Sequence, residues 1–289
     1  MILVTGATGN LGKDTVESIL SRDIAASNIT VLVRNENKAA GFISNGLHIK
    51  IGDYDDITSL TSAFQGIDTL VLVSSSSDMD KRFNQHKNAI DAAKECGISH
   101  IIYTGFDKKD LEQSIMVNDV KYHLQTASYL KQIGIPYTIM NNTLYADMIP
   151  VLVGANVEED GVSFPAGDGK TPFLPIAEMA EATAVVATSP GHQNKEYTIA
   201  ADTAYSFSEI AELIAEIKGK PIDYRQPAIS EYVSKHINDG VPEDDAEYVA
   251  RFGGAIANGE FDTKRSDVAQ LLGRDPVKLK DFLKGIYAK

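Results

Sequence analysis

The chain has 289 residues, 43% of them apolar, and 27 basic against 40 acidic side chains leave a net charge of −13. That size allows one large α/β domain or a nucleotide-binding domain with a smaller lobe, and the negative charge excludes direct nucleic-acid binding and attraction to an anionic membrane. The single cysteine, Cys96, excludes an intramolecular disulfide, and no run of about 18 apolar residues offers a membrane span, so a soluble, cytoplasmic protein is expected.

Residues 1–5 form an apolar strand candidate and residues 10–21 a helix candidate, with Gly6, Gly9 and Gly12 between them. A turn without β-carbons lets the backbone reach a pyrophosphate. The helix N-terminus adds unpaired N–H groups and a positive dipole, and the last glycine lets helix and strand pack closely. Gly6, Thr8, Gly9, Asn10, Leu11 and Gly12 are therefore the candidate dinucleotide cradle, and a tight turn without a ligand is the alternative.

The second strand candidate, residues 29–33, ends at Arg34, where an NAD-specific fold carries an acid for the ribose 2′-hydroxyl. An arginine offers planar, charge-assisted donors to a 2′-phosphate, which points to NADPH, unless Arg34 is a solvated loop residue paired with Glu36. Further strand candidates at 47–51, 69–73, 100–104 and 137–140 alternate with helical segments. Asp56 can cap a helix over 57–64, Asp78 or Asp80 a long helix ending before Gly97, and a helix over 117–132 stops at Gly134. This alternation predicts an α/β fold, a Rossmann-type doubly wound parallel sheet. Cys96 falls in a helical stretch, where a small buried thiol is expected.

Beyond residue 144 the alternation breaks down into turns such as Ala166-Gly167-Asp168-Gly169, a helix over 208–218 and an acidic helix start at Pro242 to Glu247. The expected organisation is a nucleotide-binding domain over 1–143 and, over 144–289, a smaller irregular lobe that closes the substrate cleft without being an independent domain. Ligands of such sheets lie at the carboxyl ends of the strands. That places Asp53 near the adenine amino group, Ser74 and Ser75 near ribose and phosphates, and Asn142 near the nicotinamide; each also reads as an ordinary cap or turn residue.

The opening Val4-Thr5-Gly6-Ala7-Thr8-Gly9-Asn10-Leu11-Gly12, the Val33-Arg34-Asn35 end of strand two and Gly52-Asp53-Tyr54 resemble the NmrA-like branch of atypical short-chain dehydrogenases. So do Gln85-His86-Lys87-Asn88-Ala89-Ile90, Ala166-Gly167-Asp168-Gly169-Lys170, and Tyr137-Thr138-Ile139-Met140 with Asn142 and Tyr145. Within that branch the likeness is nearest to the bacterial type 2 NADPH:quinone oxidoreductases. The resemblance implies an NADPH-binding fold whose members either reduce quinones or sense the cofactor's redox state.

Ordinary short-chain reductases use a tyrosine acid with a lysine four residues later, so that the ammonium favours the phenolate. No tyrosine of this chain has that partner; Tyr122, for one, is followed at the fourth position by Thr126. Conventional carbonyl reduction is thus disfavoured. A quinone fits better, because hydride addition leaves a phenolate-like anion with a pKa of about 10, which solvent can protonate. The catalytic residue is not assigned from sequence. His123 and Tyr145 are candidates, with Ser128 standing where the resemblance implies a lysine, and Phe106 and Tyr145 could stack on a planar acceptor. The six histidines are scattered without metal-ligand spacing, and no G-x-S-x-G elbow is present, so neither a metal site nor a serine hydrolase is expected. The expected function is hydride transfer from NADPH to a quinone-like small molecule, in a possible homo-oligomer. The alternative is an NADP(H)-binding redox sensor that passes its state to a protein partner.

Overall fold

The computed structural model describes residues 1–154 and 156–288. Its strands are β1 (Ile2–Val4), β2 (Ile29–Val33), β3 (His48–Ile51), β4 (Thr69–Leu72), β5 (His100–Phe106), β6 (Tyr137–Asn142), β7 (Val162–Ser163), β8 (Lys195–Ile199) and β9 (Tyr224–Arg225). Seven of them form one sheet in the order β3-β2-β1-β4-β5-β6-β8, with every pairing parallel, while β7 and β9 pair separately. The order reverses between β1 and β4, which opens a crevice at the carboxyl ends of those strands. This is the Rossmann-type α/β fold expected from the alternation.

Strand periodicity divides the apolar residues between two faces. Leu3 packs with Leu60, Phe64, Leu70 and Ile90 on one side, and Val4 with Val16, Ile19, Met179 and Val186 on the other. Helices cover both faces, so β2 is buried at all five positions. Asp56 caps helix Ile57–Phe64, its Oδ1 accepting from the N–H groups of Thr58 and Ser59 at 3.0 and 3.2 Å. Gly134, at φ +83°, ends helix Val117–Ile133. Asp78 precedes helix Met79–Glu95 but makes no capping bond; its carboxylate accepts from Lys81 Nζ at 2.6 Å instead. Cys96 is half-buried rather than buried, its thiol donating to Thr61 O at 3.2 Å and held up in pKa by burial and then by Glu95.

Strands β5 and β6 run two residues further than the sequence suggests. Gly105 reads locally as a strand end, yet it lies opposite Asn141 in register, and a Cβ there would stand 2.8 Å from Asn141 Oδ1. The glycine permits close approach rather than a turn.

Part of the segment after 144 belongs to the sheet. Strand β8 extends it beside β6, and helix Ile176–Thr188 packs on helix Asn10–Leu20. The remainder gathers around a separate core that includes Phe164, Phe173, Phe207, Ile214 and Leu283. None of the described helices is long and apolar enough to cross a membrane.

Candidate cofactor and acceptor site

Thr5 follows β1, and Gly6 then reverses the chain at φ +59°, a conformation that L side chains avoid. Gly9 N–H donates to Gly6 O at 2.9 Å, and helix Asn10–Leu20 starts at once with no side-chain cap. Its first N–H groups and the positive end of its dipole are therefore presented to a ligand. A Cβ on Gly12 would stand 2.3 Å from Gly6 O, so only glycine lets the helix close on the turn; at Gly9 the corresponding distance is 3.4 Å. Thr8 and Asn10 are exposed beside the turn, whereas the buried Leu11 side chain anchors the helix and leaves only its backbone to the cradle.

Arg34 is exposed at the end of β2 and, among the described residues, has no ion-pair partner, Glu36 included. Beside the turn lies a cavity of 460 Å³ lined by Thr8, Lys13, Lys38 and Phe42, among others. These two lysines carry no sequence signal that separates them from ordinary surface residues. Asp53 is half-buried and its Oδ1 accepts from Asp55 N–H at 3.0 Å, as in a turn. The Tyr54 phenol donates to Val73 O at 2.8 Å and also bonds Thr5 Oγ1, tying this loop to the β1 and β4 ends.

The loop after β4 is fixed by hydrogen bonds to its neighbours. Ser74 N–H donates to Thr104 Oγ1 at 2.8 Å and Ser75 N–H to His86 Nε2 at 2.9 Å. The Ser75 hydroxyl donates to Gln85 Oε1 at 2.5 Å. Because His86 Nε2 accepts, its proton resides on Nδ1, which lies 2.9 Å from Thr126 Oγ1. Burial, and then the Arg82 charge, push His86 down to about 3, so the ring stays neutral. The segment singled out in the sequence thus supports the Ser74 and Ser75 loop from behind.

At the end of β6, Asn142 is 2% exposed, and neither its Oδ1 nor its Nδ2 meets a described residue at ordinary hydrogen-bond geometry, although its side chain acts on the Tyr145 phenol. Burying an unpaired amide is costly, and such a group calls for a ligand, an ion or an ordered water. Its neighbour Thr143 Oγ1 is likewise unpaired. The Tyr145 phenol is raised in pKa by burial, and a long side-chain hydrogen-bond contact with Asn142 opposes that shift.

Phe106 lies directly across from Asn142 in the β5–β6 register and begins an aromatic wall. The His123 ring stacks on Phe106 at 5.6 Å and 19°, Tyr122 lies 4.2 Å from His123, and Phe261 meets Phe106 edge-on at 5.8 Å. His123 Nδ1 is 2.8 Å from the Tyr103 hydroxyl. Burial is the main cause that holds His123 well below the usual histidine range, with His86 and Arg82 adding to it, so at neutral pH it is an uncharged ring. Two polar links, one buried and one half-buried, hold the distant Phe261 segment here. Lys108 Nζ pairs with Glu260 at 2.6 Å, and Thr263 Oγ1 donates to Asp107 Oδ2 at 2.6 Å. Sequence reasoning offered Phe106 for stacking and His123 as a candidate but missed Tyr122 and Phe261, because nothing local in residues 252–263 signals where they pack.

A turn that only glycine can close, an uncapped helix N-terminus and a buried amide of unfilled hydrogen-bonding capacity at the neighbouring strand ends fit a dinucleotide lying across the crevice. Known proteins resemble the chain over its whole length. The chain is 32% identical to quinone oxidoreductase 2 of Escherichia coli over 99% of both chains. The crystal structure of an Escherichia coli NADPH-dependent quinone oxidoreductase complexed with NADPH superposes with a TM-score of 0.92 at 30% identity, covering 99% of this chain and 100% of that one. The Citrobacter sp. triphenylmethane reductase complexed with NADP(H) also reaches a TM-score of 0.92, at 34% identity and with full coverage of both chains (100% each). Residues 1–283 match the NmrA-like family. The sequence, the fold and the glycine turn converge, and the chain belongs to the NmrA-like family.

Proposed function

We infer that this protein is an NADPH-dependent oxidoreductase that transfers hydride to quinone-like planar acceptors. The nicotinamide supplies the hydride; the chain's own residues bind, orient and exclude water. Gly6, Gly9 and Gly12, with Thr8 and the backbone of Asn10 and Leu11, hold the pyrophosphate. Arg34 takes the 2′-phosphate, with Lys13 and Lys38 adding positive charge from the adjoining cavity. Asp53 serves the adenine, Ser74 and Ser75 the ribose, and the Asn142 amide the nicotinamide side. The part of residues 144–289 outside the sheet closes the cleft over the acceptor, which stacks against Phe106 and His123 with Tyr145 nearby.

The observation that carries this reading is the buried Asn142 amide, whose hydrogen-bonding capacity the described residues leave unfilled at ordinary geometry, set directly across from Phe106 as a polar anchor beside a flat aromatic surface. The test is absorbance of the reduced nicotinamide with NADPH and NADH in parallel and a panel of small quinones. Quinone-dependent oxidation that prefers NADPH is expected. Tight NADPH binding with no turnover on any quinone would favour the redox-sensor alternative.

A further inference from the structure

Arg82, on helix Met79–Glu95, donates through Nε to Ser77 O at 2.6 Å and through Nη1 to the Tyr122 hydroxyl oxygen at 2.7 Å. Its guanidinium carbon lies 5.0 Å from the centre of the Tyr122 ring. Although the protein carries a net charge of −13, Arg82 has no carboxylate partner among the described residues. Tyr122, on helix Val117–Ile133, is 6% exposed and sits in the aromatic wall against His123. Its oxygen accepts from Arg82, and no described residue accepts its own hydroxyl proton. A phenol that accepts from a fixed cation and leaves its own O–H unused has a donor available to a ligand and a cation beside the oxygen where negative charge would develop.

We propose that Tyr122 is the proton donor of this site, with Arg82 as the positioning residue that holds its phenol from the neighbouring helix. The inference rests on the reductase reading above. In the step, the quinone gains a hydride and a proton and becomes the hydroquinone. The Tyr122 O–H bond breaks as an O–H bond forms on the acceptor oxygen, and the nicotinamide is oxidised by the two electrons that leave with the hydride. Tyr122 is left as a phenolate beside the guanidinium and recovers its proton from solvent. The lysine that ordinary reductases carry four residues after their tyrosine is Thr126 here, and its hydroxyl is spent on Tyr122 O at 2.7 Å. The cation comes instead from 40 residues upstream. His123, adjacent but uncharged, is a stacking surface rather than the acid.

The experiment uses the full chain with NADPH and a series of quinones graded by the acidity of their hydroquinones. Tyr122→Phe should slow the quinone with the most basic reduced oxygen about a hundredfold and the most acidic one only a few fold. Arg82→Gln should follow the same slope, with Arg82→Lys restoring part of the loss, and NADPH affinity should be unchanged in Tyr122→Phe. Arg82→Gln also carries the test if the tyrosine variant does not fold. Equal slowing of every quinone overturns the proton-donor role alone. A wild-type protein that oxidises NADPH with no quinone overturns both this role and the reductase reading, so the two failures are told apart.

Discussion

The two halves of the crevice are built differently. On the cofactor side the cradle is backbone, contributed by the seven consecutive residues from Gly6 to Gly12, and its shape depends on atoms being absent. On the acceptor side the wall is side chain, assembled from β5, from helix Val117–Ile133 and from Phe252 and Phe261, which lie near the far end of the chain. A backbone cradle binds what all dinucleotides share, whereas an aromatic wall can differ from one relative to the next. Dinucleotide binding should therefore respond to local backbone changes and acceptor choice to packing changes.

The largest effect is expected at Gly12. Gly12→Val drives a side chain into Gly6 O, where even a Cβ would stand 2.3 Å away, and should cost about 3 kcal/mol of stability. Denaturant unfolding should also show no stabilisation by added NADPH. Gly9→Ala, with 3.4 Å available, should keep the fold.

His86 joins the two halves and gives the next effect. Burial lowers it from 6.5 to about 3 in the folded chain, so in between the unfolded chain binds the extra proton. Its contribution is complete above pH 6.5 and is lost as pH falls toward 3; down to about pH 5 the loss is at most ~2 kcal/mol. Urea midpoints measured against pH should fall more steeply over that window in the wild type than in His86→Asn.

Arg34→Asp separates the cofactors rather than the halves. NADPH affinity, measured by quenching of protein fluorescence, should fall on the order of tenfold more than NADH affinity. Equal losses would remove Arg34 from the 2′-phosphate site.

The smallest effect on the fold is expected at Asn142. Since its amide makes no hydrogen bond of ordinary geometry to the described residues, Asn142→Leu should change stability by less than about 1 kcal/mol. Cofactor affinity should nevertheless drop several fold, and unchanged affinity would mean that the amide faces no ligand.

Much of the cofactor half was legible in the sequence because its signals are local. The glycine spacing, the apolar run before it, Asp56 before its helix and Gly134 after another each act through neighbours a few residues away. Other features escaped for matching reasons. Strand β8 begins with exposed Lys195 and Glu196, so only Tyr197 to Ile199 show a buried face, and its place beside β6 is set by the sheet edge. Gly105 looked like a stop because close strand approach and a turn both call for glycine. The reversed charge at Arg34 was visible, whereas the neighbouring cavity with Lys13 and Lys38 was not.

By itself the sequence determined the parallel α/β alternation and the dinucleotide turn, because strand period, helix caps and left-handed glycines are decided by local sterics and hydrogen bonding. Only the tertiary structure decided that the Asn142 amide is buried with its hydrogen-bonding capacity unfilled, that Phe261 reaches Phe106, and that Tyr122 receives its cation from Arg82. The two contacts join residues 155 and 40 positions apart, and close packing of side chains, which no local pattern encodes, is what brings them together.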